Sequence, residues 1–268
     1  MGSTKWSAGQ QRHMLHENYK LWKEKYHDVG DGYVGLDFSM TATGLVRLDS
    51  NGDLVDHTTV KTSAKDGTTA QRLNQVTKDF AEILQDQGPK VVAFESVNVA
   101  THISSVKALS KVSGAFFQVL EDYSEVTPYV LSCNVSTLKT AATNDVKAAK
   151  SHMLLEVHVK WGERMNTDDE ADAFVAAKLG SKIDDFFNAY EETREQRNVD
   201  LSDVLMDICK KRCDIFYGLC DQKGITKTEV NALIGVFTGS RNGGNGLKQL
   251  RENDTDFYYE ARKRLKRI

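Results

Sequence analysis

Proline is almost missing: two residues in 268 leave no material for a proline-rich linker or stiff spacer. No apolar run approaches the ~20 residues that span a bilayer, and the opening MGSTKWSAGQQRH lacks the apolar centre of a secretory signal. An intracellular, cytoplasmic setting with no membrane partner is therefore expected. Cysteine is sparse, at four residues without even spacing, which agrees with a reducing compartment. Cys209, Cys213 and Cys220 fit no standard zinc knuckle, and no histidine follows His158 to complete a site, so they are read as ordinary thiols. An excess of basic charge is also lacking. The net charge of −3 speaks weakly against nucleic acid as a partner. That argument lapses if acids gather around bound cations, because local rather than net charge then meets the ligand.

What is present suffices for a real core, with 40% hydrophobic and 27% charged residues. The pattern predicts a helix over 8–27, followed by three short strands, YVGLDF, TGLVRLD and LVDHTTVKT. The Asn51-Gly52 pair between the last two is a strong hairpin signal, so these strands run antiparallel. A helix is predicted over 69–87, a buried strand in KVVAFESV, a helix over 103–122 and a fifth strand in VTPYVLSC. Helices over 134–142 and 145–159 then lead to an acidic one. A hairpin followed by alternating helices and strands implies a mixed five-stranded sheet covered on both faces. This α/β order is that of the ribonuclease H-like fold, with a helical extension after it. The expected division is an N-terminal helical extension (1–30), a self-sufficient ribonuclease H-like domain (31–190) and a helical accessory region with a basic end (191–268). A helix–turn–helix over 212–237 is a weaker reading. The SRNGGNG stretch has no strand before it and no Gly-Lys-Ser/Thr after it, so it is read as a loop rather than a phosphate cradle.

The acidic helix raises a physical problem. In NTDDEADAFVAAKLG, Asp168 and Asp169 suit a helix N-terminus through capping and the helix dipole. Asp172 does not, because it lies one turn in among Ala173, Phe174 and Ala176, where an unpaired charge costs several kcal/mol (roughly). Asp169 and Asp172 are three apart and share a helix face. Asp37 and Glu95 end the first and fourth strands, which lie side by side in the expected sheet. Four converging carboxylates are tolerable around divalent cations, and two such ions about 3.5–4 Å apart can clamp an in-line phosphoryl displacement.

These residues carry a resemblance. GLDFSMTATG resembles the first-strand motif of RuvC-type Holliday junction resolvases, particularly the phage-like members. FESV is similar to their second motif, and DDEADAF to their third. Gly114 falls where the family has a glycine. Lys139 and Lys150, eleven apart, match two basic residues that approach the scissile phosphate in the family. The resemblance covers about residues 32–187 and implies a Mg²⁺-dependent endonuclease, with two ions per site and Mn²⁺ as a substitute. It would cut four-way and other branched DNA as a homodimer, in recombination and repair. It implies Asp37, Glu95, Asp169 and Asp172 as metal ligands, with Asp168 or Glu170 as alternatives to Asp169. Lys150 would act in catalysis, and Lys139, Lys147 and Lys150 would contact DNA. Two departures stand out. The segment AATNDVKAA between the lysines lacks the family's usual glycine. Asn98 also stands where many members have a base-stacking aromatic residue, so the family's cleavage-sequence preference does not carry over.

Other classes fit these residues less well. GLDFSMTATG also resembles the first phosphate loop of sugar kinases and actin-like ATPases, but their later glycine motifs are missing. A nuclease-derived scaffold without activity would be expected to have lost ligands, and the set here is complete. A broader debranching or flap nuclease is the nearest alternative. The basic residues 262–267 are expected to lie on phosphates.

Overall fold

The computed structural model describes residues 8–96, 103–123, 127–197, 201–209 and 211–238. Asn98, the glycine-rich stretch 240–246 and the basic residues 262–267 lie outside them. Five strands form one sheet: β1 (Tyr33–Asp37), β2 (Ala42–Leu48), β3 (Leu54–Lys61), β4 (Val91–Glu95) and β5 (Tyr129–Cys133). Their spatial order is β3-β2-β1-β4-β5, with the first three antiparallel and β4 and β5 parallel to β1. This is the expected ribonuclease H-like arrangement.

The central strands read YVGLD and VVAFE, with four buried residues in a row and no alternation, because both faces are covered. On one face lie α2 (Thr69–Gln87) and α3 (Ile103–Tyr123), where Phe80 and Phe116 pack with Phe38 and Phe94. A capping box between Thr68 and Gln71 starts α2, and Gly88 in the left-handed conformation ends it. The other face carries α6 (Asp168–Ser181), which lies across β1, β2 and β4 and buries nearly its whole length.

Against α6 pack α4 (Val135–Thr143), α5 (Lys150–Trp161) and α7 (Ile183–Arg197), and α1 (Ala8–Lys25) joins the core on the same face. The helix predicted from 145 begins only at Lys150. Asn144 adopts a left-handed conformation, and the Asp145 side chain accepts from the Lys147 N–H, so 144–149 form a turn instead. This puts Lys150 in the first turn of α5.

The remaining helices are α8 (Leu201–Cys209), α9 (Asp214–Gln222) and α10 (Lys227–Thr238). The boundary expected at 190 falls inside α7. Phe186 and Phe187 of α7 pack against Phe216 and Phe237, and Trp22 of α1 packs edge-on against Tyr129 of β5. One continuous apolar core therefore joins α1, the sheet and α7–α10. The helix–turn–helix reading of 212–237 fails for the same reason. A recognition helix must be free to enter a groove, whereas α10 is buried along Ala232–Thr238 against α1 and α4. Among the described residues no metal-ligating group includes a cysteine, and no helix is long and apolar enough to cross a membrane.

Candidate metal centre and active site

The sheet register builds the site. Leu36 of β1 pairs with Phe94 of β4 in parallel, so the next residues, Asp37 and Glu95, emerge together at the strands' C-terminal ends. Asp172 reaches them from α6, and one oxygen from each of Asp37, Glu95 and Asp172 lies within 4.8 Å of the others. Asp169, one turn earlier on α6, lies close enough to interact with Asp37 but stands outside that group of three. Three of the four expected ligands thus meet at one point, with Asp169 beside them.

Two glycines permit this approach. A Cβ on Gly44 would stand 2.2 Å from the Asp169 carbonyl oxygen, and one on Gly35 would stand 1.9 Å from that of Ala173. The α6 backbone therefore lies directly on β1 and β2, where no other residue fits without movement. Both glycines bracket the GLDFSMTATG motif. Their presence at its two ends was the available signal, but nothing local says which helix they admit.

The electrostatics are those of an uncompensated carboxylate cluster. Burial, then the charges of Glu95, Asp172 and Asp169, raises the Asp37 pKa to about 9. Burial and Asp172 raise Glu95 to about 7, and burial raises Asp172 to about 6 against the pull of Lys150. Asp169 is also raised, by burial and by Asp168. Clustered, desolvated oxygen donors short of positive charge fit a hard divalent cation.

The neighbouring acids are directed elsewhere. Asp168 pairs with Lys150, which lowers the Asp168 pKa and raises that of the lysine. Glu170 is buried and faces β3, where it meets His57 and Thr59. Burial alone would raise its pKa, but bonds from the Asn166 N–H, Thr59 and His57 outweigh that and lower it.

Lys139 on α4 and Lys150 on α5 both lie close enough to act on the charges of Glu95 and Asp172. Lys147 sits exposed in the 144–149 turn, where its backbone N–H donates to the Asp145 side chain. Lys61, at the end of β3, does act on Asp169, and sequence reading missed it. An exposed lysine ending an edge strand carries no signal until the sheet places it beside the acids.

No curated protein sequence matches the chain. Among solved structures it is similar to Thermus thermophilus RuvC, with 20% identity over 56% of this chain and 93% of that one and a TM-score of 0.47. T. thermophilus RuvC in complex with Holliday junction substrate gives 22% over the same shares, with a TM-score of 0.49. The yeast mitochondrial Holliday junction resolvase Ydc2 gives 14% over 71% of this chain and 99% of that one, with a TM-score of 0.43. The family model for crossover junction endodeoxyribonuclease RuvC matches residues 33–178, more than half of the chain. That match runs from the first residue of β1 past Asp172, taking in every strand and all four acids, and the chain belongs to the RuvC crossover junction endodeoxyribonuclease family.

Proposed function

We propose that this chain resolves Holliday junctions and related branched DNA by paired, metal-dependent phosphodiester hydrolysis. The convergence of Asp37, Glu95 and Asp172 on one point, with Asp169 beside them, carries the reading. When bound there, two Mg²⁺ ions, replaceable by Mn²⁺, supply a water of lowered pKa and neutralise charge at the phosphate. Asp37, Glu95 and Asp172 would hold the metal, with Asp169 beside them. The chain's own burial of these carboxylates excludes bulk water and raises the value of each charge.

Lys150 opens α5 beside the acids and is paired with Asp168 in this state. A phosphate oxygen competes for that ammonium when DNA arrives, which brings the lysine to the scissile group. Water attacks phosphorus in line, the bond to the 3′-oxygen breaks, and the leaving oxygen takes a proton. Lys150 stabilises the charge that grows on the phosphoryl oxygens. Lys139 and Lys147 hold the flanking backbone. Two copies related by a twofold axis place two such sites on the junction for symmetric nicks.

The test is cleavage of a synthetic four-way junction beside matched duplex, flap and Y-shaped DNA, with Mg²⁺. Paired symmetric nicks confined to the junction support the reading. Equal cutting of flaps or Y-shaped DNA would assign a broader debranching nuclease.

A further inference from the structure

Glu170 lies between two of the site's acids in sequence, yet its carboxylate faces the opposite way. It is 2% exposed. It accepts from the Asn166 N–H at 2.8 Å and from Thr59 Oγ1 at 2.9 Å, and it lies 2.7 Å from His57 Nδ1. Thr59 Oγ1 also meets Thr167 Oγ1 at 2.7 Å, and the Thr167 hydroxyl caps α6 by accepting from the Glu170 N–H at 3.2 Å. An acid in the first turn of a helix normally serves capping and the helix dipole and stays hydrated. That role explains the contact with Asn166. It does not explain full burial or two partners on a strand more than a hundred residues away.

The sheet register shows what those partners hold. Thr59 of β3 pairs with Gly44 of β2, which pairs with Asp37 of β1, so the three form one row across the sheet. The first turn of α6 lies along that row. Glu170 sits on Thr59, the Asp169 backbone sits on Gly44, and the Asp169 side chain stands beside Asp37. The next row on the same face is His57, Val46 and Gly35, and Gly35 receives the backbone of Ala173 beside Asp172. His57 and Thr59, two apart on one strand, project to the same side and grip a single carboxylate.

We infer that Glu170 is a positioning residue of the metal centre, bolting the start of α6 to β3 and so setting where Asp169 and Asp172 stand relative to Asp37. The hairpin strand β3, which supplies none of the four acids, is thereby part of the site's supporting shell. Outer partners that orient ligands typically govern metal affinity and activity by 10–100-fold (roughly). The inference rests on the metal centre proposed above.

The experiment is calorimetric titration of the full, DNA-free chain with Mn²⁺, paired with single-turnover cleavage of a four-way junction in Mg²⁺. Glu170→Ala is expected to weaken Mn²⁺ binding by about tenfold or more and to slow saturated cleavage to a similar degree. Junction affinity measured in EDTA should stay near wild type. Glu170→Gln keeps an oxygen at the Oε2 position for the Asn166 N–H and His57 and turns its amide N–H toward Thr59 Oγ1, which can accept, so it is expected to recover most of the loss. Thr59→Val removes the hydroxyl's bonds to Glu170 and Thr167 at nearly constant shape and is expected to lower Mn²⁺ affinity by about threefold. It serves as the readout should Glu170→Ala fail to fold. Wild-type Mn²⁺ affinity in folded Glu170→Ala, or in Thr59→Val, would overturn the inference alone. A wild-type chain that binds no Mn²⁺ would overturn the metal centre and this inference together.

Discussion

Replacing Gly44 with alanine should damage the active site without removing a single catalytic atom. The added Cβ would lie 2.2 Å from the Asp169 carbonyl oxygen, 2.4 Å from its carbon and 3.0 Å from the Glu170 nitrogen. All three are backbone atoms of a helix held on both sides, so no flexible side chain can swing away. A real Cβ contact needs at least 3.0 Å, so the oxygen separation of 2.2 Å must open and α6 must back off by about 0.8 Å at that point. Asp169 stands beside Asp37 from that residue, and Asp172 follows one turn later. A displacement near 1 Å at a reacting centre costs about 10²-fold in rate, or roughly 2.7 kcal/mol in the barrier. Overpacking should also lower stability by about 1–3 kcal/mol. Single-turnover cleavage well below the melting transition, with Mn²⁺ affinity measured alongside, separates the two effects. Gly218→Ala is the control. Gly218 lies within α9 with nothing within 4 Å of its Cβ position, so that variant should be neutral or slightly more stable. If Gly44→Ala cleaves and binds Mn²⁺ like wild type, the close approach of α6 to β2 does not set the site's geometry.

Asp37→Asn should abolish cleavage and leave junction binding largely intact. It should also raise the metal-free melting temperature by a few degrees, because it removes the acid whose charge is opposed most strongly, by burial first and then by Glu95, Asp172 and Asp169; near-normal turnover would sink its assigned role. In the metal-free wild type, the unfolded acids ionise near pH 4 while Asp172, Glu95 and Asp37 hold protons up to about 6, 7 and 9 in the fold. The unfolded chain then binds fewer protons, so stability should fall as pH rises through that window, and Mg²⁺ should raise the melting temperature more at pH 8 than at pH 5.5. Equal Mg²⁺ effects at both values would refute the cluster's role. Lys150→Ala should slow saturated single-turnover cleavage by about 10²-fold with little change in stability, since its partnership with Asp168 is largely solvent-exposed; a loss of affinity alone would make Lys150 only a phosphate contact. Truncation after 190 should yield an insoluble or non-cooperative chain, contrary to the self-sufficient 31–190 unit expected from sequence. It strips Phe216 and Phe237 from Phe186 and Phe187, and it takes Glu229 from Lys160, which also holds the Ala141 carbonyl of α4. Cooperative melting of that fragment would overturn this view of the core.

The sequence by itself determined the order of elements, the hairpin and the four acids. Those features are local: a period of two or 3.6, an Asn-Gly turn, an acid ending an apolar strand, and two carboxylates three apart on a helix. Spacing says which residues share a face but not what that face meets. Asp168, Asp169 and Glu170 are therefore equivalent on the page as acids in one helical turn. Only packing sends the first to Lys150, the second to Asp37 and the third to His57 and Thr59. The same limit hid Lys61 and the purpose of Gly44, since each acts on a segment more than a hundred residues distant. It also made α7–α10 look like an appendage. Their apolar faces were visible as helical periodicity, but a periodic face can cover a neighbour, a second copy or a sheet. The tertiary structure decided for the sheet and α1, because that is where Trp22, Tyr129, Phe187 and Phe237 bury one another's surface.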